Sequence, residues 1–583
     1  MMGWLERKWV QIGLIWLVLV AALSIAAVRL GNAPRVTGDD AMRLVGAIDL
    51  FNGQSWFDTM QHRDNTPFGA PMHWSRLIDA PLVALMALFT PLVGASAPLW
   101  AAFVWPLLVL LAVVVLVAAV TERVAGEGAR LPALALLAMC LAVYTEFIPG
   151  RVDHHNVQIA LTLLMMLTSI EGRADPKWAV VAAAAAATGL AIGTEALVSV
   201  ITVLICFALY WVVDPQRSRA AVLAFAASFA MAVLLLLLTT TDPNAWLVPA
   251  CDALSATYGV AAVGYAAAIL IAVSLTAWLK HPALRLAVLA VLGSGVLLGL
   301  LSMFPACRAG PYGDLDADLA VILLSTIGEA QPIWDWNAQM RSELSLILTP
   351  TLGLLAVFLA TVLAPKQQRW RWLVLSGFSF ALFLVFCLQI RGFRLLTVAV
   401  IPGAAWIIAE AWAWFRARQT IATAAVAGFT LMAFSGAAHV SVLGLLSPPA
   451  GPPAQSSLSW TACLEPQAYE PLAALPPGRV MSYLLIGPSL LLQTPHQVVS
   501  AGYHRNEQGL RDMVRFYRDG EAEAQAVVHE RGLDYLVFCR GIPATDGLAG
   551  LPDFNEPTWP WLTRISDPEA PLQIYAIDLS RSS

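Results

Sequence analysis

Residues 151–156, Arg151-Val152-Asp153-His154-His155-Asn156, set one basic, one acidic and two imidazole side chains between two long apolar segments. Desolvating ionisable groups at the edge of an apolar span costs free energy unless they line a cavity, pair or bind an ion, so this cluster marks a functional site. Outward from it, the chain reads as a polytopic α-helical membrane protein. Of its 583 residues 58% are hydrophobic and 13% charged, and the mean hydropathy is +0.70, more apolar than a soluble domain can bury. Runs of about 20 apolar residues, enough to cross roughly 30 Å of hydrocarbon as helices, recur from Trp9 to Leu446.

Spans near 9–29, 98–121, 131–148, 156–170, 178–193, 196–213, 220–238, 259–279, 284–303, 345–363, 372–389, 395–414 and 420–445 give about 13 crossings. Basic residues then fall on alternate connections, from Arg7 and Lys8 through Arg123 and Arg130 to Arg416 and Arg418, which the positive-inside rule assigns to the cytoplasm. Residues 80–95 are also apolar, but a crossing there would put Arg123 and Arg130 outside. With Thr90-Pro91 and Gly94 inside it, the run reads as an interfacial or re-entrant helix. The N-terminus is therefore cytoplasmic, and four regions face outward: 30–79, 149–155, 304–344 and the chain after 446. Residues 9–29 read as a retained span, because Val36-Thr37-Gly38-Asp39 lacks a small-residue cleavage signature.

The expected organisation is a membrane domain over 1–446, with a first external loop 30–79 and a late one 304–344. A Pro-rich linker follows at 447–458 and a small soluble α/β domain at 459–583. In that domain, strand-like Val480–Leu484 and Tyr535–Phe538 flank a helical stretch from Gln508 to Glu530. Cys251, Cys307, Cys463 and Cys539 fall outside the spans. In an oxidising compartment they allow Cys251 to pair with Cys307 and Cys463 with Cys539, and four free thiols are the alternative. The net charge of −5 says little about partners. No Gly-rich phosphate loop, Ser-His-Asp set or nucleic-acid patch is present, and no nucleic-acid partner is expected.

The acidic and histidine clusters all land on the outward side. Asp39-Asp40 follows the first span, Asp153-His154-His155 follows the third, and Ser325-Thr326-Ile327-Gly328-Glu329 lies in the late loop. Carboxylates and imidazoles drawn from such loops form an oxygen and nitrogen ligand set for Mn²⁺ or Mg²⁺. Arg151, Arg391 and Arg394 supply guanidinium groups that hold phosphate through paired hydrogen bonds. Together these groups suit displacement of a lipid-linked phosphate or pyrophosphate leaving group.

In the order and sidedness of these motifs, residues 1–445 resemble the GT-C superfamily of membrane glycosyltransferases, and within it the catalytic subunit of oligosaccharyltransferases. The resemblance implies a catalytic aspartate at Asp40, with Asp39 beside it. It implies a DxD-like metal motif at Asp153-His154-His155, similar to the Asp-His-His form of archaeal members. Thr326-Ile327-Gly328-Glu329 resembles the late-loop Thr-Ile-x-Glu motif, and Arg391 resembles the arginine that contacts the donor pyrophosphate. Asp40, Asp153 and His155 are then metal ligands, while Glu329 positions and activates the acceptor. His154 is read as facing solvent or the donor. The Trp-Trp-Asp-Tyr-Gly motif that reads an asparagine sequon is missing from the C-terminal domain. Trp334-Asp335-Trp336, in the late loop, reads as an interfacial anchor.

Plain structural roles compete at each position. Asp39 would N-cap a helix over 40–51, Asp153 and His155 would cap the next span, Glu329 would be a solvated loop acid, and Arg391 and Arg394 would sit at the interface. Glu195, in the turn between two spans, borders the cavity or simply makes that turn. His504 and Arg505, in a donor-rich loop, contact glycan or acceptor or belong to an ordinary surface loop. Asp314, Asp316 and Asp318 read as a solvated face.

The resulting expectation is a transferase that moves a sugar or oligosaccharide from a polyprenyl-(pyro)phosphate donor on the outer face of a bacterial inner membrane. The acceptor is a protein, a lipid or a polysaccharide. One alternative is a metal-independent monosaccharide transferase using a polyprenyl-monophosphate sugar. Another class, a transporter or flippase, predicts charges at mid-membrane and an internal repeat, and neither is seen.

Overall fold

The computed structural model describes residues 7–30, 36–310, 315–326, 328–334, 344–446, 460–540 and 559–581. They fall into two compact units. The first comprises Met1–Asn32, Phe103–Gly310 and Glu329–Pro448, and the second Ala33–Ala102, Pro311–Gly328 and Pro449–Ser583.

The first unit is helical. Among the described residues, eight helices are long and apolar enough to cross a membrane, or up to 10 if each bent pair counts as one span. The expected ranges 395–414 and 420–445 are those bent pairs, with angles of 45° and 87°. The range 131–148 breaks into Arg130–Ala138 and Leu141–Glu146, and the next two ranges hold helices of 17 residues, His155–Glu171 and Pro176–Ile192. At 1.5 Å per residue such a helix is about 26 Å long, short of the ~30 Å hydrocarbon layer. The apolar run at 80–95 is the helix Asp79–Val93, which stops at Gly94 (φ 59°) before Ala97–Ala125 begins. The chain is thus a mostly helical, multi-pass membrane protein.

Helix starts in this unit follow local chemistry. Asp175, Asp214 and His281 each precede a proline in the first helical turn, and each side chain accepts a backbone N–H of that turn. The alanine-rich helix Pro176–Ile192 buries Ala179, Ala182, Ala183, Ala186 and Ala187. It packs closely on Pro215–Thr240, because small side chains let helices approach where the hydrophobic effect is weak. Cys251 and Cys307 form a disulfide in this unit.

The second unit is built on a five-stranded mixed sheet. Strands β1 (Met60–Gln61) and β2 (Ala70–Pro71) form a separate antiparallel ribbon. The sheet comprises β3 (Arg479–Ser482), β4 (Gln497–Val498), β5 (Tyr535–Cys539), β6 (Leu562–Arg564) and β7 (Leu572–Ile577), in the order β4-β3-β5-β7-β6. Strand β3 is parallel to β4 and β5, and β7 is antiparallel to β5 and β6. The expected helix Gln508–Glu530 is two helices, Glu507–Arg518 and Glu521–Arg531. Between them lies Gly520 at φ 92°, a conformation that side-chain-bearing residues disfavour.

The core of this unit is pooled. Met42, Val45 and Trp74 pack with Tyr469, Val480, Ile486, Leu490 and Ile574, and Leu319 joins Met481, Leu510 and Leu536. The Cys463–Cys539 disulfide lies in the same core. The first loop is also clasped by buried polar groups. Asn506 Nδ2 donates to Asp64 Oδ1 at 2.9 Å and Arg531 Nη1 to Asn65 Oδ1 at 3.1 Å.

Burial raises the Asp64 carboxyl to about 7, against the opposing pull of its hydrogen bonds and of Arg531. Because the folded value lies above the unfolded one, its contribution to stability is complete below about pH 4 and is lost as pH rises through about 7. Asp64→Asn keeps an acceptor for Asn506 and removes the titration. The melting temperature of this unit, followed by tryptophan fluorescence, is expected to fall between about pH 4 and about pH 7 in wild type relative to Asp64→Asn. Parallel pH profiles would disprove the assignment.

Candidate active site

In the first unit, Pro149-Gly150 ends the segment after helix Leu141–Glu146, with Gly150 at φ 105°, and the next helix starts at His155. The N-cap residue of that helix is His154, whose side chain makes no capping hydrogen bond, and Asp153 precedes it. Its carboxylate instead faces both imidazoles. Asp153 Oδ1 lies 2.6 Å from His154 Nδ1, and Oδ2 lies 3.3 Å from His155 Nε2.

Glu195, in the single turn Thr194–Ala196, closes the group from the other side. Its Oε2 is 3.1 Å from His155 Nδ1 and 3.4 Å from His154 Nε2. Gly193 permits this approach, since a Cβ there would lie 3.0 Å from Gln158 Nε2 and 3.2 Å from the His154 ring. Glu195 thus belongs to the turn between two helices and also contacts both imidazoles. His154, read as facing solvent or donor, is buried at 7% exposure.

Ligand atoms of Asp153, His154 and His155 all lie within 4.8 Å of one another. Neighbouring ligands on one cation at about 2.1 Å are roughly 3.0–3.4 Å apart; three of the four His–carboxylate spacings above match, while Asp153 Oδ1 and His154 Nδ1 at 2.6 Å share a hydrogen bond, so the donor set fits a divalent ion once that proton is lost. In the ion-free arrangement burial opposes charge on His154, but Asp153 and Glu195 outweigh it and push the imidazole up to about 10. A cation would have to displace that proton.

Around this group stand three arginines. Arg391 Nη1 contacts Glu195 Oε1 at 2.8 Å and its Nε donates to Gln389 Oε1 at 2.8 Å. Arg394, one turn on, reaches Glu146 Oε1 with Nε at 2.7 Å and Glu329 Oε2 with Nη2. Arg151 Nη2 contacts Glu146 Oε2 at 3.1 Å. The segment carrying Glu329 is tied to the arginine turn by backbone bonds, Ile390 N–H to Gln331 O at 2.9 Å and Ile333 N–H to Cys387 O at 3.1 Å. The structure therefore gathers Arg151, Asp153, His154, His155, Glu195, Glu329, Arg391 and Arg394.

Glu146, at 1% exposure, was not anticipated; a lone acid ending an apolar run was the available signal. Ile327 and Asp335-Trp336 lie outside the described residues, as does Asp314, while Trp334 is exposed.

The remaining candidates belong to the second unit. Asp39 and Asp40 occupy the first turn of helix Gly38–Phe51, whose N-cap is Thr37. Asp39 is therefore not the cap. It accepts a hydrogen bond from Tyr503 Oη at 2.9 Å, and Asp40 is buried. Arg43 and Arg76 both bond Asp79, and Arg43 lies over the Trp74 ring. The His504 ring lies 4.7 Å from that of His73, and Arg505 is half-buried.

A helical unit that groups carboxylates, imidazoles and arginines, in a chain that also holds a mixed α/β unit, is a fold shared with solved structures of an oligosaccharyltransferase. The archaeal oligosaccharyltransferase AglB of Archaeoglobus fulgidus, in complex with an inhibitory peptide and a dolichol-phosphate, superposes with a TM-score of 0.67. It is 13% identical, over 92% of this chain and 70% of that one. The apo form gives 0.64 at 14% identity, over 90% and 69%, and the complex with Zn and sulfate gives 0.60 at 13%, over 91% and 68%. The chain matches no family model and no curated protein by sequence.

Proposed function

We propose that this protein is a GT-C glycosyltransferase that moves a sugar or oligosaccharide from a polyprenyl-(pyro)phosphate donor to an acceptor at the outer face of a bacterial inner membrane. The proposed topology has a cytoplasmic N-terminus and a periplasmic C-terminal domain over 459–583. The observation that carries the reading is the grouping of buried Asp153, His154 and His155 with half-buried Glu195 and Arg391 alongside. The AglB structures with dolichol-phosphate, with an NVT acceptor peptide, and with Zn and sulfate support a polyprenyl donor and a metal-assisted reaction.

Asp153 and His155, with His154 and Glu195, would hold the cation, and two imidazoles favour Mn²⁺ over Mg²⁺. Bound there, a divalent ion neutralises charge developing on the leaving phosphate. Arg391, fixed by Glu195 and Gln389, offers its guanidinium to phosphate oxygens, and Arg151 adds a second partly exposed one. Glu329 accepts a hydrogen bond from the acceptor nucleophile. Asp40, with Asp39, is proposed from the sequence resemblance as the aspartate that orients the acceptor and adds a ligand. His504 and Arg505 are proposed to contact glycan or acceptor. The acceptor class stays open among protein, lipid and polysaccharide, because no sequon-reading motif is present.

The test uses detergent-purified protein with polyprenyl-pyrophosphate-linked oligosaccharide and a panel of peptide, lipid and glycan acceptors. Transfer should vanish in EDTA and return with Mn²⁺. Transfer that EDTA leaves intact would favour the metal-independent monophosphate-sugar reaction, and no transfer to any acceptor would reject the assignment.

A further inference from the structure

Glu146 lies outside the residues assigned above, yet every strong contact it makes is to one of them. It ends the short helix Leu141–Glu146, and its side chain is 1% exposed. A carboxylate this deep is stable as an anion only against compensating charge, and Arg151 and Arg394 supply it at 3.1 and 2.7 Å. Arg394 is in turn shared. Its Nη2 holds Glu329, its Nε approaches Glu146 without a well-aligned hydrogen bond, and its Nη1 has no hydrogen-bond partner among the described residues.

Two consequences follow from this chain of charges. A guanidinium between two carboxylates cannot swing toward a phosphate without leaving a buried anion uncompensated, so Arg394 is fixed, with only Nη1 left to donate. A buried negative charge behind two arginines also subtracts from the attraction they exert on any polyanion. Both effects act through other residues.

We propose that Glu146 is a positioning residue that fixes Arg394 against Glu329 and limits how tightly Arg151 and Arg394 hold phosphate. The proposal rests on the transferase reading for its catalytic meaning, but its electrostatic half can be measured without turnover. Removing the charge while keeping the shape strengthens the hold on the phosphate leaving group and slackens Glu329. Donor binding then tightens while turnover slows.

The experiment compares wild type with Glu146→Gln and uses inorganic pyrophosphate as the probe, by calorimetric titration in EDTA. Mn²⁺ binding by electron paramagnetic resonance serves as the check that the neighbouring Asp153 group is intact. Pyrophosphate affinity is expected to rise at least tenfold in Glu146→Gln, since one unit charge is worth about tenfold even at roughly 12 Å for an effective dielectric near 20, with saturable Mn²⁺ binding retained. With lipid-linked donor, KM falls and kcat falls about tenfold, whereas a merely structural lesion would raise KM.

Unchanged or weaker pyrophosphate binding in a folded Glu146→Gln protein overturns the proposal. If Glu146→Gln fails to fold, Glu146→Asp decides, since its shorter carboxylate draws back from both guanidinium groups. A few-fold tightening supports the proposal and no change refutes it. If wild type transfers no glycan, the functional reading falls while the pyrophosphate comparison still decides this one.

Discussion

Replacing Asp153 with alanine is expected to abolish saturable Mn²⁺ binding and to lower transfer by roughly 10³-fold, on the scale seen when one preorganised electrostatic contact at a reacting centre is lost. The effect should exceed that of any other single change in the group, because Asp153 acts twice. It offers its own oxygens, and it sets the rings of His154 and His155 through contacts of 2.6 and 3.3 Å. Loss of an orienting carboxylate alone weakens a metal site by about 10- to 100-fold, and loss of a ligand adds to that. Asp153→Asn separates the two roles, since the amide keeps a hydrogen-bonding oxygen but removes the charge. It should retain more binding than the alanine variant. Paramagnetic resonance titration of both variants checks the order, and wild-type Mn²⁺ affinity in Asp153→Ala would show that the ion, if bound, sits elsewhere.

Asp153 and His155 were readable because a charged cluster at the edge of an apolar run has few physical explanations. Arg391 and Glu329 were readable from their outward placement. Glu146 was hidden by the same logic. It falls inside the run 131–148, whose apolar content dominates any window, and only the helix break before Leu141 and the two distant arginines give it meaning. The contribution of Glu195 likewise depends on Gly193 allowing a close approach that spacing does not encode.

The fold shows the same division. Span positions follow from hydropathy and are matched by helices, but bends at 399–401 and 433–436 and the break at Cys140 change which of them are single long rods. The second unit was the less legible. Met42, Val45 and Trp74 look like loop residues until strands from the far end of the chain supply the other half of their core. Gly520 split a helix that residue composition alone would have run through.

The largest stability effect is expected at Arg531, which pins that distant pairing. Its side chain is 1% exposed, and it donates from Nε to Asp512 Oδ2 at 2.8 Å, and from Nη1 to Thr66 O at 2.6 Å and Asn65 Oδ1 at 3.1 Å. Asn65 sits at φ 54°, a left-handed conformation that asparagine tolerates, and its Nδ2 donates to Gly69 O. One guanidinium therefore joins the turn after β1 to the helix Glu521–Arg531 and, through Asp512, to the helix before it.

Arg531→Ala removes the charge, leaves the buried Asp512 carboxylate with only Arg515, at 3.1 Å, of its two arginines, and takes this donor from Thr66 O and Asn65 Oδ1. Breaking a buried pair in this way costs about 3–5 kcal/mol. For a unit of this size that corresponds to a fall in melting temperature of roughly 10 °C. Hydrogen exchange should localise the loss to residues 60–71 and 507–531, leaving the helical unit protected. Arg531→Lys, which keeps the charge but cannot serve three acceptors in one plane, should fall between. A loss below about 1 kcal/mol in the alanine variant would mean that the apolar contacts of Met42, Val45 and Trp74 hold the first loop without the clasp.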